Sequence, residues 1–289
     1  AVMREESVEL CAMEVSSPAL VQGRVDGFVF AVAVFINLGR DHLDFHKDLE
    51  DYFLAKASLF TQAHANHAVI NIDDDHGRRL CELTRLPVTT FSTDGNPADW
   101  RAVNIRPHRL GTELDVLPPE GPAIPLSVPL PGVFNVSNAL AVMASLAQSG
   151  YDPAELASGI AASTGVPGRM ERVDAGQPYT AIIDYAHKPD AVTAVLTALR
   201  PVTAGRLIIV IDSNRPELEK HQLKPDPART RFIQLARAAG ATVIDTEPIF
   251  RAHFAQSLLS LDVGPYDGHF NALGVSLVTQ AAAAAFAQP

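Results

Sequence analysis

The chain has 289 residues, of which 47% are hydrophobic and 19% are charged. This balance excludes a disordered tail and a collagen-like fibre, and at about 150 residues per domain the length predicts two domains. Asp and Glu number 33 against 23 Lys and Arg, so the formal net charge is −10. Because non-specific nucleic-acid binding needs a basic face, we expect no nucleic-acid partner, although a few local groups can still hold a small anion.

Short apolar runs alternate with amphipathic segments through the first half of the chain. The predicted strands lie at 6–16, 28–36 and 67–72. Further along, the pattern predicts a helix at 48–63 and a polar turn at 73–77. The Pro-rich stretch at 87–131 predicts either a small β meander or a long excursion, and helices are predicted at 134–147 and 152–162. Because strands that alternate with helices favour a largely parallel α/β sheet, we expect a first domain over residues 1–163.

A linker at 163–168 separates this part from a second α/β domain, predicted over residues 164–289. Its predicted strands lie at 180–185, 206–211 and 241–245. Its predicted helices lie at 189–199, 230–239 and 273–286. The same alternation of strands and helices predicts a smaller α/β layout.

The cysteines and the hydropathy pattern indicate a compartment. Cys11 and Cys81 form neither a metal-ligand spacing nor a disulfide framework, which favours a reducing cytoplasm. No stretch approaches the ~20 apolar residues that span a bilayer, and the chain opens without a recognisable signal peptide. We therefore expect a cytoplasmic protein with no membrane insertion.

The densest group of polar side chains follows the apolar strand at 28–36. Four of its members could bind a metal or a phosphate: Asp41, His42, Asp44 and His46. Ligands of open α/β sheets lie at the carboxyl ends of strands, where Glu14 could also meet His42. A carboxylate with an imidazole would form part of a Mg²⁺ shell beside a nucleotide. The alternative is a solvated loop whose acids cap the following helix.

Five blocks in sequence order resemble the Mur ligases, in particular the members that add the third residue of the peptidoglycan stem peptide. The blocks are Glu14–Gly27, Asn37–Phe60, His67–Gly77, Gly132–Val142 and Gly168–Val192. Together they cover about residues 1–210, and five ordered blocks are far more specific than any one of them. The resemblance implies the mostly parallel sheet of a partial central domain, followed by a smaller Rossmann-like α/β domain.

The resemblance also implies a chemistry. Mur ligases phosphorylate a substrate carboxylate with ATP, and an amino group then attacks the acyl phosphate to form an amide. The expected partners are therefore UDP-N-acetylmuramoyl-dipeptide and an amino acid, with ATP as a substrate. The transition states are anionic, so Mg²⁺ and cationic side chains would supply much of the catalysis.

The family's motifs assign metal and catalytic roles by resemblance. Glu14 and His42 match metal ligands, and Lys56 matches a lysine that family members carry as a carbamate. A carbamate is an anion and would support a second Mg²⁺. Lys56, His42 and Arg169, which lies in the hinge motif, are the expected catalytic residues. Without the family context, Lys56 would be interpreted as a surface lysine whose apolar stem packs on the protein.

Binding roles also follow from the resemblance. Three residues match contacts with the UDP-muramoyl-dipeptide: Ser16, Gln22 and Arg24. Four residues match the nucleotide site, with the first two at the adenine, the third at the ribose and the fourth in a DYAH motif: Asn135, Asn138, Asp184 and His187. The alternative for the two asparagines and for the histidine is helix capping.

The sequence departs from the family in ways that affect activity. Family members carry a Gly-rich phosphate-binding loop upstream of the first block, yet neither Gly-Lys-Thr nor Gly-Lys-Ser occurs among these 289 residues. The family's first domain is missing as well, so the match looks truncated at the front. The segment that selects the incoming amino acid has no counterpart after residue 211. We therefore expect catalysis to be absent or very weak, and the acceptor amino acid cannot be inferred.

Residues 211–289 have a weaker resemblance, to SGNH-type hydrolases. Asp267 and His269 would be the acid and base of a serine triad, but the serine block is missing. The alternative is a turn before the last helix with Asn271 as its N-cap. Two matches that meet near residue 211 suggest a hybrid chain. Three functions stay open: a ligase fragment, an esterase or acetyl-transfer module, and a non-catalytic nucleotide-binding remnant.

Overall fold

The computed structural model of this protein describes most of the chain. The described residues are 6–39, 45–186, 189–211, 227–257, 259, 261–264 and 267–286. The chain divides into two compact units, Ala1–Thr164 and Gly165–Pro289.

The first unit is built on one six-stranded sheet. Its elements are α1 (Ser17–Val21), β1 (Ala33–Phe35), α2 (Leu49–Ala57), β2 (Ala68–Asn71), α3 (Asp75–Leu83), β3 (Val88–Ser92), β4 (Trp100–His108), β5 (Gly111–Leu117), β6 (Ile124–Val128), α4 (Val133–Ala147) and α5 (Pro153–Ala161). The strands lie in chain order, parallel from β1 to β4 and antiparallel from β4 to β6. The expected α/β class is confirmed, with a mixed sheet that is parallel at one side and a meander at the other.

Helices cover both faces of this sheet. Val69 packs with α4 in one buried cluster, and Ile70, the next residue of β2, packs with Phe53 of α2 and Leu80 of α3 in another. Because successive strand residues point to opposite faces, α4 lies on one face and α2 and α3 lie on the other. Burial on both faces explains why the part of the run Phe28–Ile36 that begins at Val32 is apolar without alternation, whereas Phe28 and Val29 are more than half exposed.

The predicted strand at 6–16 is wrong. Residues 8–16 are irregular, and the side chains of Val8, Leu10 and Met13 are each nearly half exposed. The pattern is that of a strand, but a strand also needs a neighbour to bond with, and the described residues provide none here. The predicted strand at 28–36 shortens to β1 with an isolated bridge between Phe30 and Ala65.

The polar turn predicted at 73–77 is partly wrong, because α3 begins within it. Asp74 is the N-cap residue of α3, and its carboxylate accepts a hydrogen bond from the backbone N–H of His76 at 2.7 Å. Gly77 lies inside the helix, where an added Cβ would come within 1.8 Å of the Asn71 carbonyl oxygen. A glycine that indicated a turn in the sequence therefore serves close packing of α3 on β2.

The second unit pairs its described strands two at a time. Its elements are β7 (Glu171–Val173), β8 (Ala181–Ile183), α6 (Pro189–Leu199), β9 (Leu207–Ile211), α7 (Pro227–Ala238), β10 (Ala241–Asp245), α8 (Glu247–Ser257), β11 (Asp262–Gly264), β12 (Asp267–Phe270) and α9 (Ala272–Phe286). The β9–β10 pair is parallel, whereas β7–β8 and β11–β12 are antiparallel. Asn271 accepts hydrogen bonds from the N–H groups of Leu273 and Gly274, as expected of an N-cap. Among the described helices of both units, none combines the length and hydropathy needed to cross a membrane.

Candidate functional site

A cavity of about 520 Å³ lies at the β1 edge of the sheet in the first unit. The irregular segment Leu10–Ser16 and the strand segment Phe30–Asn37 form two of its walls. The end of α2 with the residues after it, and the last turn of α4 with Ser149, contribute the rest. Its volume is within the range of small-ligand sites. Three predicted site residues line this cavity together: Glu14, Ser16 and Lys56.

Glu14 and Lys56 bring opposite charges to the cavity. Glu14 is exposed, and Lys56 is half-buried in the last turn of α2. The Lys56 Nζ lies 5.2 Å from the centre of the Tyr52 ring, within cation–π range. The Lys56 side chain is therefore held against the Tyr52 ring of the same helix while the residue lines the cavity.

The predicted substrate contacts cluster on α1. Ser16 is the N-cap of α1, and its Oγ accepts a hydrogen bond from the Ala19 N–H at 3.3 Å. Gln22 is the C-cap, and both Gln22 and Arg24 are exposed. These side chains therefore lie at the two ends of one short helix, where Gln22 and Arg24 are free to meet a ligand from solvent.

A buried histidine links α1 to α2. The His46 Nε2 lies 2.8 Å from the Ser17 Oγ, and its Nδ1 lies 3.1 Å from the Asp51 carboxylate. The His46 side chain is only 1% exposed, whereas that of Asp51 is 55% exposed. The hydrogen bond from His46, with a second from the Lys47 N–H, lowers the pKa of Asp51. Because Ser17 is fully buried, this serine–histidine–aspartate chain is a structural link and not a nucleophile open to substrate.

A second polar network lies where β2 and β3 end. The Asp73 carboxylate accepts hydrogen bonds from the Ser92 Oγ, from the Thr93 N–H at 2.7 Å and from the Asn96 side chain at 2.8 Å. Burial alone would raise the pKa of Asp73, but these hydrogen bonds outweigh it and lower the pKa. Sequence reasoning missed this role, and the only signal was the Asp-rich run that begins at Asp73.

The chain that leaves β1 is fixed to the same region. The Asn71 side chain donates to the Ile36 carbonyl at 2.9 Å, and the Leu38 N–H donates to the Asp74 carboxylate at 3.0 Å. These bonds direct residues 36–39 along the carboxyl end of the sheet, where ligands of α/β proteins bind. His42, Asp41 and Asp44, which follow, lie outside the described residues.

The two predicted adenine contacts differ in burial. The Asn135 side chain is buried and donates to the Pro131 carbonyl at 2.8 Å, so it braces the loop before α4. Asn138 is exposed one turn further on. The capping alternative is wrong for α4, whose N-cap is Gly132 without a side-chain hydrogen bond. The φ of 104° at this position favours glycine.

The second unit holds its own group of predicted site residues. Asp184 accepts hydrogen bonds from the N–H groups of Met170 and Ala186, both at 2.8 Å, and so joins β8 to the segment before β7. Arg169 is exposed, and its guanidinium lies 5.0 Å from the centre of the Tyr185 ring. The aspartate is thus engaged by backbone donors, whereas the arginine is positioned by stacking.

The remaining predictions fall where side chains are not described. His187 lies outside the described residues, and only the backbone of Asp267 and His269 is described, in β12. The hydrolase pair therefore stays a prediction. In the described part of the chain, no three His, Cys, Asp or Glu side chains come together as a metal centre. Glu14 is the carboxylate that faces the cavity beside Lys56.

The fold and cavity define an α/β protein with a ligand-sized site at a sheet edge, and the comparisons identify its family. The family description "Mur ligase middle domain" matches residues 1–146, and "Mur ligase, glutamate ligase domain" matches residues 168–246. The chain therefore belongs to the Mur ligase family. The Mur-like part runs through β10, further than the five sequence blocks indicated, because β9, α7 and β10 lie within the second matched domain.

Several relatives carry one name, UDP-N-acetylmuramoyl-L-alanyl-D-glutamate–2,6-diaminopimelate ligase. The Streptomyces avermitilis protein is 55% identical over 212 residues, covering 73% of this chain and 42% of the relative. The Synechocystis protein is 43% identical over 266 residues, covering 89% and 52%. A solved structure with this name superposes with a TM-score of 0.63 at 29% identity, covering 86% of this chain and 52% of that chain. This chain thus spans about half the length of the relatives it matches.

Proposed function

We propose that this chain is the catalytic part of an ATP-dependent ligase of peptidoglycan precursor synthesis. The reaction joins an amino acid to UDP-N-acetylmuramoyl-dipeptide through an acyl phosphate, and we expect this chain alone to be incomplete or weakly active in it. The observation that carries the proposal is the cavity that brings Glu14, Ser16 and Lys56 together in a member of the Mur ligase family. With such a function, we expect the protein to act in the cytoplasm on nucleotide-linked substrates.

The residues at the cavity fit a nucleotide with Mg²⁺. Magnesium in such sites is held by one or two carboxylates together with substrate phosphates and water, so it needs no complete protein cage. Glu14 would hold the ion, with His42 and a carbamylated Lys56 as the further ligands that the family implies. Bound there, Mg²⁺ would neutralise charge that develops on the transferring phosphoryl group.

The chain's own groups then have distinct roles. Gln22 and Arg24 bind the muramoyl-dipeptide and hold its terminal carboxylate towards the cavity. Lys56, or its carbamate, sets the charge beside that carboxylate. Because His46 is buried between α1 and α2, it keeps the substrate helix and the Lys56 helix in register. Within the first unit, the exposed Asn138 would contact the nucleoside, and the buried Asn135 would hold the loop before α4. For Asp184 and Arg169 in the second unit, the ribose and phosphate contacts stay expectations from the resemblance.

The amino acid is proposed to be 2,6-diaminopimelate. The support is the shared name of relatives that are 55% and 43% identical to this chain. Sequence reasoning left the amino acid open, since the family's selecting segment was not recognisable after residue 211. Because no Gly-Lys-Thr or Gly-Lys-Ser occurs in the 289 residues, we expect them to bind substrate but release phosphate very slowly on their own.

Binding of UDP-N-acetylmuramoyl-L-alanyl-D-glutamate by isothermal titration calorimetry tests the proposal. Arg24→Ala should weaken binding at least tenfold, since the lost group pairs with an anion of the substrate. The matched control is Arg106→Ala, which removes an exposed arginine from β4 and should change binding less than twofold. Failure of the unaltered chain to bind the muramoyl-dipeptide would contradict the proposed function.

Phosphate release separates a ligase from a non-catalytic nucleotide-binding remnant. The assay combines Mg-ATP, the muramoyl-dipeptide and diaminopimelate, with and without Lys56→Ala. Phosphate release that requires both the muramoyl-dipeptide and diaminopimelate, and that falls to background in Lys56→Ala, would establish catalysis. Binding of ATP and the muramoyl-dipeptide with no phosphate release above background would favour the remnant.

A further inference from the structure

Tyr52 is a buried aromatic residue that lies one helical turn before Lys56. Both residues belong to α2, and their spacing of four positions places them on one face of the helix. The Lys56 Nζ lies over the Tyr52 ring, 5.2 Å from its centre. An ammonium at this distance is attracted by the negative charge of the π system. The ring therefore gives the amine a preferred position in a residue that lines the cavity.

A lysine at this place in the fold would otherwise be poorly fixed. Its four-carbon stem is flexible and its ammonium is strongly hydrated, so many rotamers are accessible to it. Lys56 lies in the last turn of α2 and is only half-buried, so close packing does not select one of them. Contact with an aromatic ring reduces the entropy that is lost when the amine later pairs with an anion in the cavity.

The Tyr52 ring is fixed in turn by His46. The centres of the two rings are 5.1 Å apart and their planes differ by 30°, which is a stacked arrangement. The His46 Nδ1 lies 3.1 Å from the Asp51 carboxylate, and its Nε2 lies 2.8 Å from the Ser17 Oγ. Because an ionised carboxylate only accepts hydrogen bonds, Nδ1 carries the proton that faces Asp51. The imidazole is thus held at both nitrogens, and by stacking it holds the plane of Tyr52.

The same contacts reach the helix that carries the predicted substrate contacts. A helix of five residues, such as α1, is too short to be stable by itself. Among the described residues of α1, Ser17 is the buried one, and its hydroxyl meets His46. A continuous path of contacts therefore leads from α1 through His46 and Tyr52 to the Lys56 amine.

We propose that Tyr52 is a positioning residue of the candidate site. Its ring, held by His46, keeps the Lys56 amine in the cavity that Glu14 and Ser16 also line. An anionic group of the substrate then meets a cation that is already in place, and Tyr52 acts on the ligand only through Lys56. The inference rests on the proposed function for the identity of the ligand, whereas the placement of the amine rests on contacts within the first unit.

NMR of the lysine ε-methylene groups tests the placement of the amine. The 289-residue chain contains five lysines, so isotope-labelled lysine gives few signals, and Lys56→Arg identifies that of Lys56. Protons over the face of an aromatic ring are shifted upfield, so the Lys56 signal should lie upfield of the others. Tyr52→Phe keeps the ring and should keep this shift, whereas Tyr52→Met should abolish it. An unshifted Lys56 signal in the unaltered chain would overturn the proposal.

His46→Gln tests the support of the Tyr52 ring by the imidazole. A glutamine amide can still donate and accept hydrogen bonds, but it has no ring to stack on Tyr52. The upfield shift of the Lys56 signal should become smaller than in the unaltered chain and stay larger than in Tyr52→Met. A full upfield shift in folded His46→Gln would contradict the role given to His46.

A double-mutant cycle separates positioning from a purely structural role. The measured quantity is the Kd for UDP-N-acetylmuramoyl-L-alanyl-D-glutamate. Tyr52→Met should weaken binding about threefold, which corresponds to one cation–π contact, and Tyr52→Phe should restore the affinity. In a chain that already carries Lys56→Ala, Tyr52→Met should have no further effect, because Tyr52 acts through the amine. Additive effects of the two substitutions would overturn the proposal.

The two proposals can fail separately. An upfield Lys56 signal in a chain that does not bind the muramoyl-dipeptide would support the placement of the amine by Tyr52 and contradict the ligase function. Binding of the muramoyl-dipeptide by a chain with an unshifted Lys56 signal would support the function and overturn the placement.

Discussion

The two units bury their apolar residues in different ways. The first unit stacks helices on both faces of one sheet and forms clusters of fifteen and eleven buried residues. In the described part of the second unit, strands pair two at a time and the clusters contain four and two buried residues. Because apolar burial is the main stabilising contribution to folding, we expect the first unit to unfold at a higher temperature than the second. We also expect local opening to be concentrated in the second unit.

The largest expected effect compares one buried phenylalanine in each unit. Phe53 is fully buried in the cluster of eleven residues in the first unit, and Phe250 is 1% exposed in the two-residue cluster that it forms with Leu261 in the second unit. Phe53→Ala should lower the free energy of unfolding of the first unit by about 4 kcal/mol, whereas Phe250→Ala should cost the second unit about 2 kcal/mol, since a looser site collapses more easily. Calorimetry should show each loss in a different transition. Equal losses would contradict the difference between the cores.

The buried link in the first unit comes next. His46→Ala leaves a space and removes the partner of the Ser17 hydroxyl, so it should lower the free energy of unfolding by about 3 kcal/mol. The control is Asp51→Asn, which alters the exposed end of the same chain of hydrogen bonds and should have a much smaller effect. Urea denaturation at pH 7 measures both. A larger loss in Asp51→Asn than in His46→Ala would show that the link depends on the exposed carboxylate.

The sequence predicts regular elements well where local pattern is sufficient. The helix at 189–199 and the strand at 241–245 match α6 and β10 at both ends, because turn residues bound each apolar run. The strand predicted at 6–16 fails, since its pattern is right but its partner is not among the described residues. A period-2 pattern reports that a segment suits a sheet, and only the fold decides whether a neighbour is present.

The site was less predictable because its contacts join distant residues. The burial of His46 depends on its contact with Ser17, 29 positions earlier. The Asp73 network depends on Ser92 and Asn96, about 20 positions later. Resemblance nominated Glu14, Ser16 and Lys56 from their motifs, and the cavity that they share became visible only once the segment before α1 and the end of α2 were placed.

The Asp73 network predicts a pH dependence for the first unit. The pKa of Asp73 is lowered in the folded protein, so its stabilising effect is complete well above the unfolded value of about 3.9 and is lost as the pH falls through the folded-state pKa. Asp73→Asn should cost about 2 kcal/mol at pH 7, because charge-assisted hydrogen bonds are lost. The gap between the two proteins in urea midpoint should narrow below pH 4. A gap that stays constant down to pH 3 would show that Asp73 stabilises through packing rather than charge.

The smallest expected effect separates ion pairs in the two units. In the first unit, Arg79 forms two 2.6 Å contacts with Glu50, but both side chains are about half exposed. In the second unit, Arg229 is 15% exposed and lies between Asp245 and Glu247. Arg229→Gln should lower the free energy of unfolding of the second unit by about 1 kcal/mol, because the partly buried Asp245 loses its arginine and Glu247 keeps only Arg251.

Glu50→Gln is the matched change and should leave the thermal midpoint of the first unit unaltered at 0.15 M salt, because exposed pairs are screened and pay side-chain entropy. Thermal melts at low and moderate salt measure both variants. Because its apolar core is small, the second unit should depend more on the Arg229 ion pairs for its stability than the first unit depends on the Glu50–Arg79 pair. A Glu50→Gln effect as large as that of Arg229→Gln would contradict the expectation that the less exposed ion pair contributes more to stability.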